Sequence, residues 1–367
     1  MLERIMPTAR HARIALSVAA LTATACNDAT GPDGRLPGRR LLEVREFSQW
    51  TWVPSGTEVV FSTPFDAPYT GPPTRLDAIT VPGGSRRTVV AAPSNGDRII
   101  GYRFVVVGSH VYYEVLHPSS DGISFYRAPL DGRSPPEKII EVSPYNVSVS
   151  PDEHNVAWVE RGSLVTTDIA TGARRAYPLQ HEADRVNWSP SGRSVVVDPE
   201  NLLVTAGTPL QWVDLRSGTV RVWFEPRSSF DTWPSRDIGW DGESPMVYVA
   251  GVDVARYSMA TGARELLSAL PMPGHAIGWS PDFETAIIES AECLKWSGGI
   301  FGSDCIRWIN HVDRIAWRSG VGTRVLRYEG AGQIFGRAAP AGSWLAYEYR
   351  RCGGGCPGDG LYGERIP

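Results

Sequence analysis

Short runs of alternating apolar and polar residues fill most of the chain, and they come in pairs. WTWVPSGTEVVFS (50–62), VSVSPDEHNVAWV (147–159) and VNWSPSGRSVVVD (186–198) each hold two such runs around a turn containing Pro, Asp or Gly. IGWDGESPMVYVA (238–250), IGWSPDFETAIIE (277–289) and FGRAAPAGSWLAYEY (335–349) repeat the pattern. RIIGYRFVVVGSHVYYEV (98–115) fills the same slot without the Pro. A period of two over strand-length runs marks β-strands, and the Gly residues supply the positive φ that tight hairpins need. A second strand–Gly turn–strand unit follows six of these, at 76–92, 125–142, 164–179, 210–224, 254–270 and 314–329. No stretch keeps a 3.6-residue period for three turns, so the chain is expected to be all-β.

Four strands, a to d, recurring at roughly 40–60 residues predict a β-propeller. Seven first units stand against six second units. The last repeat has strands a and b and a strand c at GLYGERIP (360–367), and then the chain ends. RLLEVRE (40–46) reads like a d-strand and is expected to complete the seventh blade, removing two exposed strand edges. A six-bladed ring with one degenerate repeat is the alternative, blade two being the weakest match.

The 38 Gly, 29 Pro and 13 Trp suit many strands and turns, and the 42% hydrophobic content suits a large core. A net charge of −4 leaves no basic footprint for nucleic acid. Only two residues are Lys (Lys138 and Lys295), which reads as coding bias. Arg4, Arg10 and Arg13 precede an apolar run, Ile14 to Ala25, that is too short to span a bilayer. The run ends in Ala23-Thr24-Ala25-Cys26, which resembles a bacterial lipobox with Ala in place of the usual Leu. The resemblance implies a signal peptide over 1–25, a lipid on Cys26 and an exported, membrane-anchored protein, periplasmic or at the cell surface. An ordinary signal peptide with Cys26 incidental is the alternative. Residues 26–39 form a Gly/Pro-rich tether, and 40–367 the propeller.

The Ser150-Pro151-Asp152, Ser189-Pro190-Ser191-Gly192 and Ser280-Pro281-Asp282 turns after V-x-W-like strands resemble the TolB-like, WD-like propeller repeats of bacterial envelope proteins. The resemblance covers about 40–367 and implies architecture. The chain lacks an α/β domain before the propeller and has a different blade count, so no Tol-complex role is carried over. Trp52, Trp188, Trp240 and Trp279 recur in strand a and are expected to pack between blades.

In such a blade the a–b and c–d turns share one face, and the b–c and d–a connections share the other. The longer connections here fall on the second face: 65–74, 199–209, 226–236, 291–304 and 351–359. They carry Phe65, Tyr69, Phe230, Trp233, Trp296 and Phe301, the candidate binding residues, because aromatic side chains on loops over a rigid scaffold are common interaction anchors. The tether, entering at the start of a d-strand, should leave from the short-turn face.

With Cys26 set aside, Cys293 and Cys305 flank one loop and Cys352 and Cys356 another. Local disulfides are the simplest pairing for an exported chain; crossed pairing and a four-Cys zinc site are the alternatives. The 7 His form no metal motif, and no G-x-S-x-G elbow occurs. Asp198, Asp231 and Glu289 could reach a central cavity, although carboxylates are more often solvated or capping. The reading is a monomeric, non-catalytic protein-interaction module of the envelope, without cofactor, metal or nucleic acid, its partner another envelope protein and its membrane contact made through the lipid alone. The alternatives are a propeller enzyme acting on sugars or envelope polymers at the channel mouth, and a small-ligand sensor.

Overall fold

The computed structural model describes residues 36, 38–43, 49–63, 74–118, 122–141, 146–199, 209–224, 235–250, 253–269, 275–279, 285–296, 305–316, 319, 321–330, 332–339, 343–351 and 360–366. These residues form seven four-stranded antiparallel sheets, and no helix occurs among them. β1 (Arg39–Glu43) comes first in the chain but belongs to the last sheet. Blade 1 holds β2 (Trp50–Trp52), β3 (Glu58–Thr63), β4 (Arg75–Thr80) and β5 (Arg86–Val90); blade 2 holds β6 (Arg98–Val107), β7 (His110–His117), β8 (Gly122–Pro129) and β9 (Glu137–Ile140). Blade 3 is β10 (Ser148–Val149), β11 (Asn155–Glu160), β12 (Ser163–Asp168) and β13 (Arg174–Pro178); blade 4 is β14 (Arg185–Trp188), β15 (Ser194–Asp198), β16 (Pro209–Asp214) and β17 (Val220–Phe224). Blade 5 is β18 (Ser235–Asp241), β19 (Ser244–Ala250), β20 (Asp253–Ser258) and β21 (Arg264–Ala269); blade 6 is β22 (His275–Trp279), β23 (Thr285–Trp296), β24 (Cys305–Ala316) and β25 (Val321–Gly330). Blade 7 is β26 (Gly332–Ala338), β27 (Trp344–Arg351) and β28 (Gly360–Arg365), with β1 as its fourth strand.

The seven-bladed expectation holds and the six-bladed alternative falls. Blade 2, whose a–b turn lacks Pro, is complete. β1 pairs antiparallel with β28, with Arg39 opposite Gly363 and Glu43 opposite Gly360, so the chain's first strand closes the ring. Close approach of the two strands depends on glycine: a side chain at Gly360 would lie 2.2 Å from the Leu42 carbonyl oxygen.

Each blade is covered on both faces by its neighbours. The middle strands are therefore buried throughout instead of alternating; all five residues of β15 are buried. The core divides by seam. Trp50, Trp52, Phe61 and Ile79 of blade 1 pack with Leu42, Ala346 and Leu361 of blade 7. Val60, Leu76 and Val89 meet Ile99, Val111 and Tyr113 at the next seam. Tyr112 and Phe125 meet Val156 and Trp158, and Leu164 and Tyr177 meet Trp188 and Val195. Trp52 and Trp188 are buried and Trp240 packs against the seam after blade 4, as the strand-a positions predict. The side chain of Trp279 lies outside the described residues.

One expected loop begins as strand. Residues 291–296, read as the start of a loop, continue β23, and β24 resumes at Cys305. The ladder extends because the register carries on past Ser290↔His311 to Trp296↔Cys305, through irregularities at Cys293/Lys295 and Lys295/Trp296. Likewise β18 takes in Ser235 and Arg236.

Candidate functional site

Among the sequence-selected residues, Phe65, Tyr69, Phe230, Asp231, Trp233, Phe301, Cys26, Cys352 and Cys356 lie outside the described residues. Trp296 sits at the end of strand β23, not in a loop. Cys293 and Cys305 sit on the paired strands β23 and β24. Among the described residues, no three His, Cys, Asp or Glu are grouped to hold a metal ion.

Asp198 and Glu289 are buried, not solvated, which corrects the expectation from exposure statistics. They take different partners. Asp198 receives Nε and Nη2 of Arg185 at 3.2 and 3.1 Å inside blade 4. Glu289, on β23, accepts the Gly336 backbone N–H of blade 7 at 2.7 Å. Burial pushes the Glu289 carboxyl up to about 8, opposed by that hydrogen bond. Beside it Asn310 accepts the Ile334 N–H at 3.3 Å. The same strand β26 is held from the other side by blade 1: Trp52 Nε1 donates to the Arg337 carbonyl at 2.8 Å, and Arg337 Nη1 returns a bond to the Trp50 carbonyl at 3.0 Å. These polar side chains serve the strand-a backbone of the neighbouring blade, whose inner edge has no strand partner of its own.

A cavity of about 170 Å³ opens between blades 2 and 3. Its walls include Arg103, Phe104, Tyr112, Glu114, Phe125 and Asn146. Strand a of blade 3 is only two residues long here, which leaves the seam uncovered. Arg103 Nη1 meets Glu114 Oε2 at 2.8 Å, with the Glu114 side chain 4% exposed. Tyr112 donates to Glu153 at 2.8 Å, and the same carboxylate takes the Ser109 N–H at 3.0 Å and His110 Nδ1 at 2.5 Å. Burial raises the Glu153 carboxyl, but these hydrogen bonds outweigh it and hold it below its ordinary value. The space matches a few water molecules or a very small polar ligand, below the size of an ordinary cofactor site.

A second constellation went unread in the sequence. His117 Nδ1 meets Asp97 Oδ1 at 2.9 Å, and its Nε2 meets Ser124 Oγ at 3.0 Å. The order of groups is that of a nucleophilic triad. Ser124 is fully buried, however, and donates its hydroxyl hydrogen to the Glu141 carbonyl at 2.7 Å. The hydroxyl is therefore an acceptor toward His117, the reverse of what a nucleophile needs. The chain of bonds ties together the four strand ends of blade 2 on the b–c face. No short-range pattern betrays it, since the three residues occupy unrelated positions in the repeat.

The chain enters the ring at the short-turn face. Arg39 Nη1 donates to the Pro82 carbonyl at 3.2 Å, in the c–d turn of blade 1. No protein-family model and no curated protein matches the sequence. Solved structures match the fold. An oligogalacturonate lyase in complex with manganese aligns over 89% of this chain and 92% of its own, with 13% identity and a TM-score of 0.59. An oligogalacturonate lyase from Vibrio parahaemolyticus aligns over 93% and 96%, with 10% identity and a TM-score of 0.61. A chain of a mitotic checkpoint complex aligns over 90% and 94%, with 12% identity and a TM-score of 0.52. An enzyme and a protein-assembly subunit thus share this architecture, and at such identities the likeness is one of fold alone.

Proposed function

We propose that the protein is a lipid-anchored, exported propeller that presents its b–c/d–a face to an envelope protein partner. The observation that carries this reading is the entry of the chain beside the Val81–Ser85 turn. This entry point supports an anchor on the short-turn side and a partner on the other. The buried polar groups described above are engaged in seam and intra-blade bonds, which favours a scaffold role over catalysis. The TolB-like resemblance belongs to the same reading, as do the disulfides Cys293–Cys305 and Cys352–Cys356. The bonded state of the Cys293 sulfur supports a disulfide there, while the ladder sets Trp308, not Cys305, opposite Cys293.

Membrane fractionation with affinity capture tests both halves. After a high-salt wash, which removes headgroup pairing but not a lipid anchor, Cys26→Ser should leave the membrane for the soluble fraction while wild type stays; unchanged association would sink the anchor. In the anchored protein, Phe230→Ser with Trp233→Ser and Phe301→Ser should abolish capture of the partner set; identical capture would sink the loop-face reading.

A further inference from the structure

We infer that the short-turn face is a docking surface for the anionic headgroups of the bilayer that carries the anchor; this rests on the anchored reading above. Two observations carry it. The first is where the chain leaves the fold. Cys26 precedes Arg39 by thirteen positions, a tether reaching at most about 45 Å, and Arg39 is held against the c–d turn of blade 1. The lipid therefore keeps this face, and not the opposite one, within reach of the membrane.

The second is a cluster of exposed arginines on that face. Arg193 lies in the a–b turn of blade 4 and Arg216 in its c–d turn, and the Leu215 N–H donates to the Arg193 carbonyl at 3.0 Å, so the two are neighbours. Arg175 shares a face of β13 with Tyr177, whose hydroxyl donates to the Leu215 carbonyl at 2.9 Å; Arg175 thus leans toward the same turn. Arg133 occupies the c–d turn of blade 2. All four are exposed, and none has a carboxylate partner within ion-pair distance among the described residues, unlike Arg75, Arg86, Arg87 and Arg185. On this face Glu153 is turned inward to Tyr112 and His110, and the exposed Asp241 and Glu243 lie in the a–b turn of blade 5; around the arginines of blades 2 to 4 it carries Asp131, Asp152, Asp168 and Asp214. These short carboxylates are bent back onto their own turns: Asp131 accepts the Arg133 N–H at 3.0 Å, Asp152 the His154 N–H at 3.1 Å, Asp168 the Thr171 N–H at 2.7 Å, and Asp214 the Arg216 and Ser217 N–H groups at 2.9 and 2.8 Å. The guanidinium groups, on longer stems, reach further from the turns and can pair bidentately with phosphate. The bilayer would thus orient the disc as well as retain it.

The test uses the mature chain with Cys26→Ser, so that no acyl chain contributes, and measures co-sedimentation with vesicles. Phosphatidylethanolamine vesicles containing phosphatidylglycerol should bind it, in a salt-sensitive manner, and pure phosphatidylcholine vesicles should not. At about 1 kcal/mol per arginine, the triple variant R175Q/R193Q/R216Q should lower binding on the order of 100-fold. R161Q, in the b–c turn of blade 3 on the opposite face, should leave it unchanged. Equal binding to both vesicle types, no binding, or equal loss with R161Q overturns the inference. The anchor is scored separately: if the lipidated wild type stays with membranes while the Cys26→Ser chain ignores anionic vesicles, only this inference fails. Thermal melting of the triple variant should match wild type, since exposed substitutions rarely cost more than about 0.5 kcal/mol.

Discussion

Glu289 illustrates what a propeller does to a polar residue in a middle strand. Neighbouring blades cover both faces, so a carboxyl halfway along β23 is buried. It takes a backbone N–H from blade 7. The folded protein holds its proton up to about pH 8, whereas the unfolded chain releases it near the ordinary 4.5. Folding therefore binds a proton between those values, and stability should fall as pH rises through that window, by an amount on the order of a few kcal/mol. Denaturant unfolding at pH 5 and pH 8 measures the loss, and Glu289→Gln, which keeps the acceptor oxygen, should flatten the profile. An unchanged slope in the variant would show that Glu289 is not its source. Composition points to an exposed carboxylate here, because exposure is the usual state of Glu; only the double coverage of the blade reverses it.

At the scale of the element, blade 2 departs from the repeat. Its a–b turn lacks Pro, and its first strand loses register between Ile99 and Phe104. The Asp97–His117–Ser124–Glu141 chain compensates by cross-tying its strand ends at the b–c face. Burial raises the Asp97 carboxyl, but the hydrogen bonds from His117 and Asn95 hold it below its ordinary value, so it remains an anion facing the ring. His117→Ala should cost about 1–3 kcal/mol, the typical penalty for leaving buried partners unpaired. Hydrogen exchange should locate the loss at the ends of β6 and β9, with blades 4 and 5 unaffected; a uniform loss of protection around the ring would contradict a local tie. The strands themselves were legible from alternation and turn residues. The tie was not, because Asp97, His117 and Ser124 meet only when all four strands are paired.

Across the whole molecule, the ring depends on the five-residue strand β1, which the sequence reading places at 40–46. β1 covers the outer edge of β28, and Leu42 enters the blade 7–blade 1 core with 4% exposure. Leu42→Ala should destabilise by about 2–4 kcal/mol through lost burial and an unfilled cavity. Removing residues 36–43 should also expose the edge of β28 and produce oligomers by light scattering. A truncated chain that stays monomeric with unaltered melting would refute closure as a stabilising device.

The sequence by itself determined the strand order, the four-strand repeat, the count of seven and the closing strand. All of these follow from local rules: side-chain alternation, turn chemistry and the mismatch between seven first units and six second units. The tertiary structure decided which polar groups meet. Trp52 reaches Arg337 and Glu289 reaches Gly336 across seams between separate blades, and no spacing in the chain encodes such pairs. It also turned part of the loop at 291–304 into strand, since a hairpin lengthens wherever its register can continue. Finally, it placed Arg39 against the Pro82 turn, joining the end of the tether to one particular face of the disc.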